Sequence, residues 1–211
     1  MDAKTFALAT GVSSDVAAVW AAPVSVAMAQ FGIDTPARQA AFLAQITHEC
    51  AGFTWLRESL NYSVAGLRKT FGDRISSSDA ARLGRKEGEP ALSQARQMAI
   101  ANLVYGGRFG NNKANDGWTY RGGGCKQLTF LSNWAAFRDA TGIDIVTKPD
   151  LITTPPVAAL TAGYFWRANN CNHYADDGDF DGLTRRINGG LNGLAERKAL
   201  WVTAKKALGV R

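Results

Sequence analysis

Helical hydrophobic spacing recurs along nearly the whole sequence and restricts the chain to a mainly α-helical fold. In the clearest case Asp34 and Thr35 supply a cap for a helix that starts at Pro36 and ends close to Glu49. Strand signals are weak, so we expect at most a small β-hairpin, at residues 119–129. Further helices are predicted over residues 13–31, 63–71, 78–86, 93–105, 131–141, 156–169, 180–188 and 194–208.

Length and composition fit one domain. A chain of 211 residues, 46% of them hydrophobic, can bury a core of its own. Two loops rich in glycine and asparagine, at residues 106–124 and 188–193, interrupt the helices, and long loops in compact domains are often functional. No repeat or low-complexity linker divides the chain. We therefore expect residues 1–211 to form a single domain with two lobes around a groove.

The sequence indicates no metal or cofactor. His48 and Glu49 begin like the HExxH zinc-protease motif, but the second histidine is replaced by Gly52, and we expect His48 to be structural. Residues 177–182 match the first half of a calcium loop, yet its twelfth position is Asn188. A helix capped by Asp179 explains these acids more simply. The cysteines fit no zinc or CxxC spacing and are predicted to be free thiols in a reducing compartment; they are Cys50, Cys125 and Cys171.

Positive charge is concentrated near the C-terminal end of the sequence. Residues 184–211 hold seven basic residues and one acidic residue. Such a segment attracts polyanions such as nucleic acid, anionic lipid or an acidic cell-wall polymer. The alternative is a solvated helix face with cations at the favourable end of the helix dipole. No helix-turn-helix, RNP or zinc-finger signature accompanies the charge, so a nucleic-acid partner is not expected.

Two glutamates, Glu49 and Glu58, stand nine residues apart in a stretch with few other charges. On one continuous helix they would point apart, because nine residues rotate the chain by about 900° and advance it by about 13.5 Å. Gly52 is a natural helix stop, and a break there lets the carboxylates face each other across a gap. An inverting glycosidase needs such a pair, about 6.5–9.5 Å apart. The alternative is two surface glutamates on consecutive helices.

The sequence neighbours of the two glutamates suggest different roles. Glu49 stands close to Phe53 and Trp55, and apolar surroundings raise the pKa of a carboxyl group, as a general acid requires. Glu58 follows Arg57 and precedes polar residues. On this basis Glu49 is predicted to be the acid and Glu58 the base.

Four motifs occur in an order that resembles the family 19 glycoside hydrolases, in particular the compact phage lysins of that family. They are FLAQITHECAGF, ESLNYS, DGWTYRGGGCKQLTFLSNW and INGGLNGLAERKALW, and the resemblance covers about residues 35 to 205. It implies that Glu49 is the general acid, that Glu58 is the general base, and that the hydroxyl of Thr129 holds the attacking water. The chain departs from the family at Cys50, usually a small or hydroxyl residue, and at Gly123, usually a basic one.

The resemblance also implies a surface that binds amino sugars. Amide and hydroxyl side chains supply oriented donors and acceptors, and aromatic rings in loops can stack on sugar faces. Arg197 is expected to neutralise nearby carboxylates, whereas Arg121 either binds substrate or braces its loop. By contrast, Trp55, Trp166 and Trp201 are predicted to lie in the core. The residues predicted to bind substrate are Tyr62, Trp118, Tyr120, Arg121, Gln127, Asn133, Asn188 and Arg197.

The resemblance implies a lysozyme-like enzyme that cuts the β-1,4 bond between amino sugars of bacterial peptidoglycan with inversion. A chitinase acting on poly-N-acetylglucosamine and a non-catalytic binder of cell-wall sugars are the alternatives. We expect a monomer whose partners are peptidoglycan strands and, through the basic C-terminal helix, anionic envelope surfaces. The sequence shows no signal-peptide pattern and no run of eighteen apolar residues. We therefore expect a phage or prophage lysin that waits in the host cytoplasm until a pore admits it to the wall.

Overall fold

The structure is a computed structural model that describes residues 1–210. In this part of the chain a 3₁₀ helix at Pro149–Thr153 and isolated β-bridges accompany twelve α-helices, so the predicted mainly α-helical fold is confirmed. The helices are α1 (Ala3–Thr10), α2 (Ser14–Gln30), α3 (Pro36–Glu49), α4 (Val64–Phe71), α5 (Ser77–Leu83), α6 (Gln94–Tyr105), α7 (Asp116–Thr119), α8 (Leu131–Thr141), α9 (Pro155–Ala168), α10 (Cys171–Asp176), α11 (Phe180–Asn188) and α12 (Leu194–Ala207).

Most helices lie where the sequence predicts them, with ends shifted by a few residues. The short helices α1, α7 and α10 were not predicted. The helix predicted over 78–86 ends early, at Leu83, because Gly84 is extended and a side chain there would collide with the backbone of Val64. The hairpin predicted at 119–129 is reduced to one antiparallel bridge between Gly123 and Leu128, since α7 takes up Thr119.

The chain forms two compact units, and it passes from one to the other four times. The first unit comprises Met1–Leu56, the short segment Gly124–Gln127 and the chain from Asp150 onwards. The second unit comprises Arg57–Gly123 and Leu128–Pro149. Glu49 therefore belongs to the first unit and Glu58 to the second.

In the first unit α3 is enclosed by other helices. It packs against α1, α10 and α12, while α2 packs against α1 and α9. Every residue from 40 to 47 is buried, as in a helix covered on all sides. Phe42 of α3 meets Trp166 of α9 edge-on, with ring centroids 5.2 Å apart, so the predicted core position of Trp166 is confirmed. This packing fixes the helix that ends at Glu49.

The second unit has a separate apolar core built around α4, α5 and α6. Its buried members are Leu60, Leu67, Ile75, Ala80, Leu83, Leu92, Ile100, Ala101 and Val104. Partly buried aromatic side chains, including Tyr105 at the end of α6 and Trp118 of α7, pack against this cluster. The core thus supports the segment that follows Glu58.

Within residues 1–210 no single helix is long and apolar enough to cross a bilayer. The pair α1 and α2 satisfies the length and composition of a span only when taken together, and the two helices are bent by 104° at the break between them.

Candidate active site

A turn of unusual backbone geometry directly follows Glu49. Helix α3 ends there, and Ala51, Gly52 and Phe53 all have positive φ, at 47°, 66° and 68°. For a residue other than glycine this conformation costs about 1–2 kcal/mol. The ring of Phe53 is buried, which helps to offset this cost. The predicted helix stop at Gly52 is confirmed.

Both carboxylate oxygens of Glu49 accept hydrogen bonds from cations. Arg197 of α12 donates from Nη2 to Oε1 at 2.5 Å, and Lys126 donates from Nζ to Oε2 at 3.0 Å. The Arg197 side chain is only 3% exposed and also donates to Gln45 Oε1 at 2.6 Å and to the Asn192 carbonyl at 3.3 Å. Glu49 is thus the centre of a buried network in the first unit.

This network decides the ionisation of Glu49. Burial is the largest single influence and raises the pKa, but the charge of Lys126 and the hydrogen bonds from Arg197 and Lys126 together outweigh it. The net pKa of Glu49 therefore lies below its ordinary value. The prediction that apolar neighbours raise this pKa is wrong, because cations distant in the sequence surround the carboxylate while the nearby Trp55 is turned outward.

Glu58 has a different environment, within the second unit. Its Oε1 accepts from the Tyr105 hydroxyl at 2.7 Å, and its Oε2 accepts from the Gly122 N–H at 3.2 Å. Burial raises the pKa of Glu58, and these donors and the charge of Arg121 offset only part of the rise. Burial and the charge of Glu58 raise the pKa of Tyr105 as well, so its hydroxyl stays protonated and remains a donor.

The direction of the Glu49 pKa opposes its predicted role, whereas that of the Glu58 pKa does not. A general acid should keep its proton, yet Glu49 is the glutamate that is held ionised. The raised pKa of Glu58 makes it the stronger proton acceptor, in keeping with the predicted base. That the two carboxylates face each other stays a prediction.

The residues around Thr129 also show strained backbone. Gln127 and Phe130 have positive φ, at 51° and 77°. The Gln127 amide donates to the Trp55 carbonyl at 3.0 Å, and the Asn133 amide donates to the Thr129 carbonyl at 2.8 Å. These bonds fix the local backbone, and the predicted substrate contacts of Thr129, Gln127 and Asn133 stay predictions.

Three aromatic side chains differ from their predicted surroundings. Trp55 was predicted to lie in the core but is 71% exposed, because the turn at residues 51–53 ends the helix before it. Trp118, predicted to be a loop residue, lies in α7, and the guanidinium of Arg121 sits 3.4 Å from its ring centroid. Tyr120 is buried with its ring against Trp134, which argues against its predicted stacking on sugars.

Arg121 and Tyr62 lie near Glu58 in the second unit. Arg121 donates to the Trp118 carbonyl at 2.6 Å and to the Glu58 carbonyl at 3.3 Å, so it braces its loop. The ring of Tyr62 packs edge-on against Phe71, and burial and the Glu58 charge raise its pKa. Substrate contacts of Arg121 and Tyr62 stay predictions.

The loop after α11 is closely packed beneath Glu49. The Asn188 amide and the Arg197 guanidinium both donate to the Asn192 carbonyl, at 3.5 and 3.3 Å. At Gly193 an added Cβ would lie 2.4 Å from Nε2 of His48, so only glycine fits. Burial and the charge of Arg197 lower the pKa of His48. Asn188 therefore helps to shape the loop that approaches the Arg197 network.

The basic C-terminal segment is less exposed than its composition suggests. Arg197 is buried on Glu49, and Lys198 pairs with Asp181 at 2.7 Å. Lys205 lies 4.5 Å from the ring centroid of Trp201, which is half-buried and stacks on Phe180. The exposed cations of the described segment are Arg185, Arg186, Lys198 and Lys206, and Arg211 lies outside the described residues.

Two smaller predictions concern Asp179 and the cysteines. Asp179 caps α11 by accepting from the Gly182 N–H at 2.8 Å, which confirms the predicted cap. All three cysteines are buried free thiols. In residues 1–210 no group of three or more His, Cys, Asp or Glu side chains could hold a metal ion.

Sequence reasoning missed three side chains of these networks. Tyr105 and Gln45 carry no local signal, since they meet Glu58 and Arg197 only after folding. Lys126 offered a clue, because it places a positive charge within a motif predicted to be catalytic.

Comparison with known proteins gives both sequence and fold relatives. No family model matches the chain. A Haemophilus influenzae protein described as a glycosyl hydrolase family 19 domain-containing protein is 39% identical over 186 residues, covering 85% of this chain and 86% of the relative. A bacterial family 19 chitinase structure matches with a TM-score of 0.62 and 20% identity, covering 100% of this chain and 95% of its own. Chitinase C from Streptomyces griseus HUT6037 matches with a TM-score of 0.61 and 19% identity, covering 99% and 76%.

Proposed function

Because this chain belongs to glycoside hydrolase family 19 and is a glycoside hydrolase, we propose that it cuts the β-1,4 bond between amino sugars of bacterial peptidoglycan. The observation that carries the proposal is the pair of partly buried glutamates, each held by its own network of donors. Surface glutamates on consecutive helices would lack such networks. Carboxylates kept in place by several donors suit a reaction that depends on position.

In the proposed reaction Glu49 gives its proton to the glycosidic oxygen as the bond between that oxygen and the anomeric carbon breaks. The electrons of the bond stay on the departing oxygen. A water held by the Thr129 hydroxyl forms the new bond on the opposite face of the sugar, and its proton passes to Glu58. The configuration at the anomeric carbon is inverted. The raised pKa of Glu58 favours this proton transfer.

The proposed glycan surface includes residues beyond the glutamates. Trp55 presents a largely exposed ring six residues after Glu49, and an exposed aromatic face suits a sugar ring. The proposed biological role is that of a phage or prophage lysin that reaches the wall through a membrane pore. The exposed cations Arg185, Arg186 and Lys206 would add attraction to anionic envelopes.

Glu49→Gln and Glu58→Gln test the proposal on purified peptidoglycan. Both substitutions keep the side-chain shape, so we expect a folded protein that releases almost no muropeptides, whereas Glu87→Gln, at an exposed position, should retain full activity. Mass spectrometry of the products identifies the bond, and proton NMR of the newly formed ends shows whether the configuration inverts. Full activity of Glu49→Gln would exclude Glu49 as the acid. Cleavage of chitin but not of peptidoglycan by the unaltered protein would make it a chitinase.

A further inference from the structure

The geometry around Glu49 conflicts with proton donation from it. A carboxylic acid donates through an O–H group on one oxygen, and that oxygen must point at the acceptor. Here a guanidinium N–H occupies Oε1 and an ammonium N–H occupies Oε2. While both cations stay, each oxygen already accepts a charged N–H, and the two positive charges oppose the addition of a proton to either oxygen. Departure of one cation would therefore ease protonation of Glu49 and free one oxygen to point at the glycosidic oxygen.

Arg197 is the cation that stays. Its side chain is almost completely buried, and its guanidinium also bonds Gln45 and the Asn192 carbonyl. Moving it would leave Oε1 of Gln45 and Oε1 of Glu49 without their cationic donor, a large cost inside a protein. Arg197 thus fixes the orientation of Glu49 through Oε1.

Lys126 is the cation that can leave. Its backbone is anchored, since the preceding residue Cys125 donates its N–H to the Ala158 carbonyl at 3.1 Å. Its ammonium, however, ends a flexible four-carbon stem and lies 4.7 Å from the ring centroid of Phe165. The ring face attracts the cation without accepting its N–H groups as a carboxylate does. Lys126 can therefore release Oε2 while its backbone stays in place.

We propose that Lys126 is a positioning residue that holds Glu49 as a carboxylate in the unliganded enzyme and releases Oε2 when the glycan binds. This inference rests on the proposed function of Glu49 as the acid. The charged groups that face Glu49 are Arg197 from α12 and Lys126 from residues 124–127, and its neighbour in α3 is His48. Protonation of Glu49 is thereby linked to substrate binding.

Lys126→Met tests the proposal because it removes the charge and keeps a similar length. We expect the pKa of Glu49, followed by carbon NMR of its side-chain carboxyl, to rise. With soluble peptidoglycan fragments at neutral pH, kcat/KM should rise by roughly tenfold or more, as the loss of a close opposite charge implies. The gain should appear in KM rather than in kcat, since Lys126 has already left Oε2 in the bound complex.

Lys126→Gln provides a second neutral variant, and Lys4→Met, on the exposed face of α1, provides the control with no expected change. A rise in the Glu49 pKa and in kcat/KM in both neutral variants supports the proposal. An unchanged Glu49 pKa, or a raised pKa with an unchanged or lower kcat/KM, overturns it. Glu49→Gln in the same assay separates the role of Lys126 from that of Glu49, because full activity of this variant would refute the role of Glu49 as the acid.

Discussion

Tyr105→Phe isolates one hydrogen bond to the proposed base. The Tyr105 hydroxyl donates to Oε1 of Glu58 at 2.7 Å, and the ring packs edge-on against Phe71 and Phe130, with centroids 5.9 and 5.5 Å away. Phenylalanine keeps both ring contacts. The substitution therefore removes a donor from the carboxylate and leaves the packing of the second unit intact.

The magnitude follows from the charge of the acceptor. A hydrogen bond to a charged group contributes about 1.5–3 kcal/mol. Without it the ionised form of Glu58 loses that stabilisation, and its pKa, already raised by burial, rises further. We expect kcat/KM to fall by roughly 10- to 150-fold at pH values below the pKa of Glu58, since each 1.4 kcal/mol is a factor of ten. Well above this pKa Glu58 is ionised in both proteins, and the rates should converge.

The assay is the release of new reducing ends from soluble peptidoglycan fragments between pH 4 and pH 9. Tyr174→Phe, at a half-buried tyrosine of the first unit, controls for loss of a phenolic hydroxyl elsewhere. Convergence of the two rates at high pH supports Tyr105 as the donor that keeps Glu58 ionised. A loss of equal size at every pH, or no loss at all, would refute this reasoning.

Two further predictions concern stability and binding. Arg197→Met should lower the free energy of unfolding in urea by about 3 kcal/mol at pH 7. Folding lowers the pKa of Glu49, so the stabilisation by Arg197 is present at pH values above the pKa of Glu49 in the unfolded chain. It disappears as the pH falls through the pKa of Glu49 in the folded protein. A loss of stability in Arg197→Met that is independent of pH would contradict this reasoning. Trp55→Ala should change the unfolding free energy by less than about 0.5 kcal/mol, since the side chain is exposed. In a Glu49→Gln background it should weaken glycan binding by about 1 kcal/mol, measured by calorimetry, and unchanged affinity would remove Trp55 from the proposed glycan surface.

Features that depend on a few adjacent residues could be predicted from the sequence. Thr35 caps α3 by accepting from the Arg38 N–H, and the stop after Glu49 needs only the local conformation around Gly52. The amphipathic helices follow from periodicity in the same way. Short helices such as α7 carry too few turns to show a period, and their contacts form only with the tertiary fold.

The chemistry of the two glutamates could not be predicted in this way. Lys126 lies 77 residues from Glu49, Arg197 lies 148 residues from it, and Tyr105 lies 47 residues from Glu58. Apolar residues that are adjacent in sequence do not determine the environment of a side chain that points away from them in the folded protein. Sequence motifs could therefore identify the two carboxylates, but their ionisation depends on distant partners.

The path of the chain has a consequence for recombination between related enzymes. Residues 57–149 interrupt the first unit, and only Gly124–Gln127 within them return to it. A chimera that exchanged this block would import a foreign Glu58, Tyr105 and Lys126 while retaining Glu49 and Arg197. Glu58 and its donor Tyr105 would come from the same parent. Glu49 would share a parent with its donor Arg197, but its other donor, Lys126, would come from the second parent. Compatibility at the four returning residues would then decide whether such a hybrid hydrolyses its substrate.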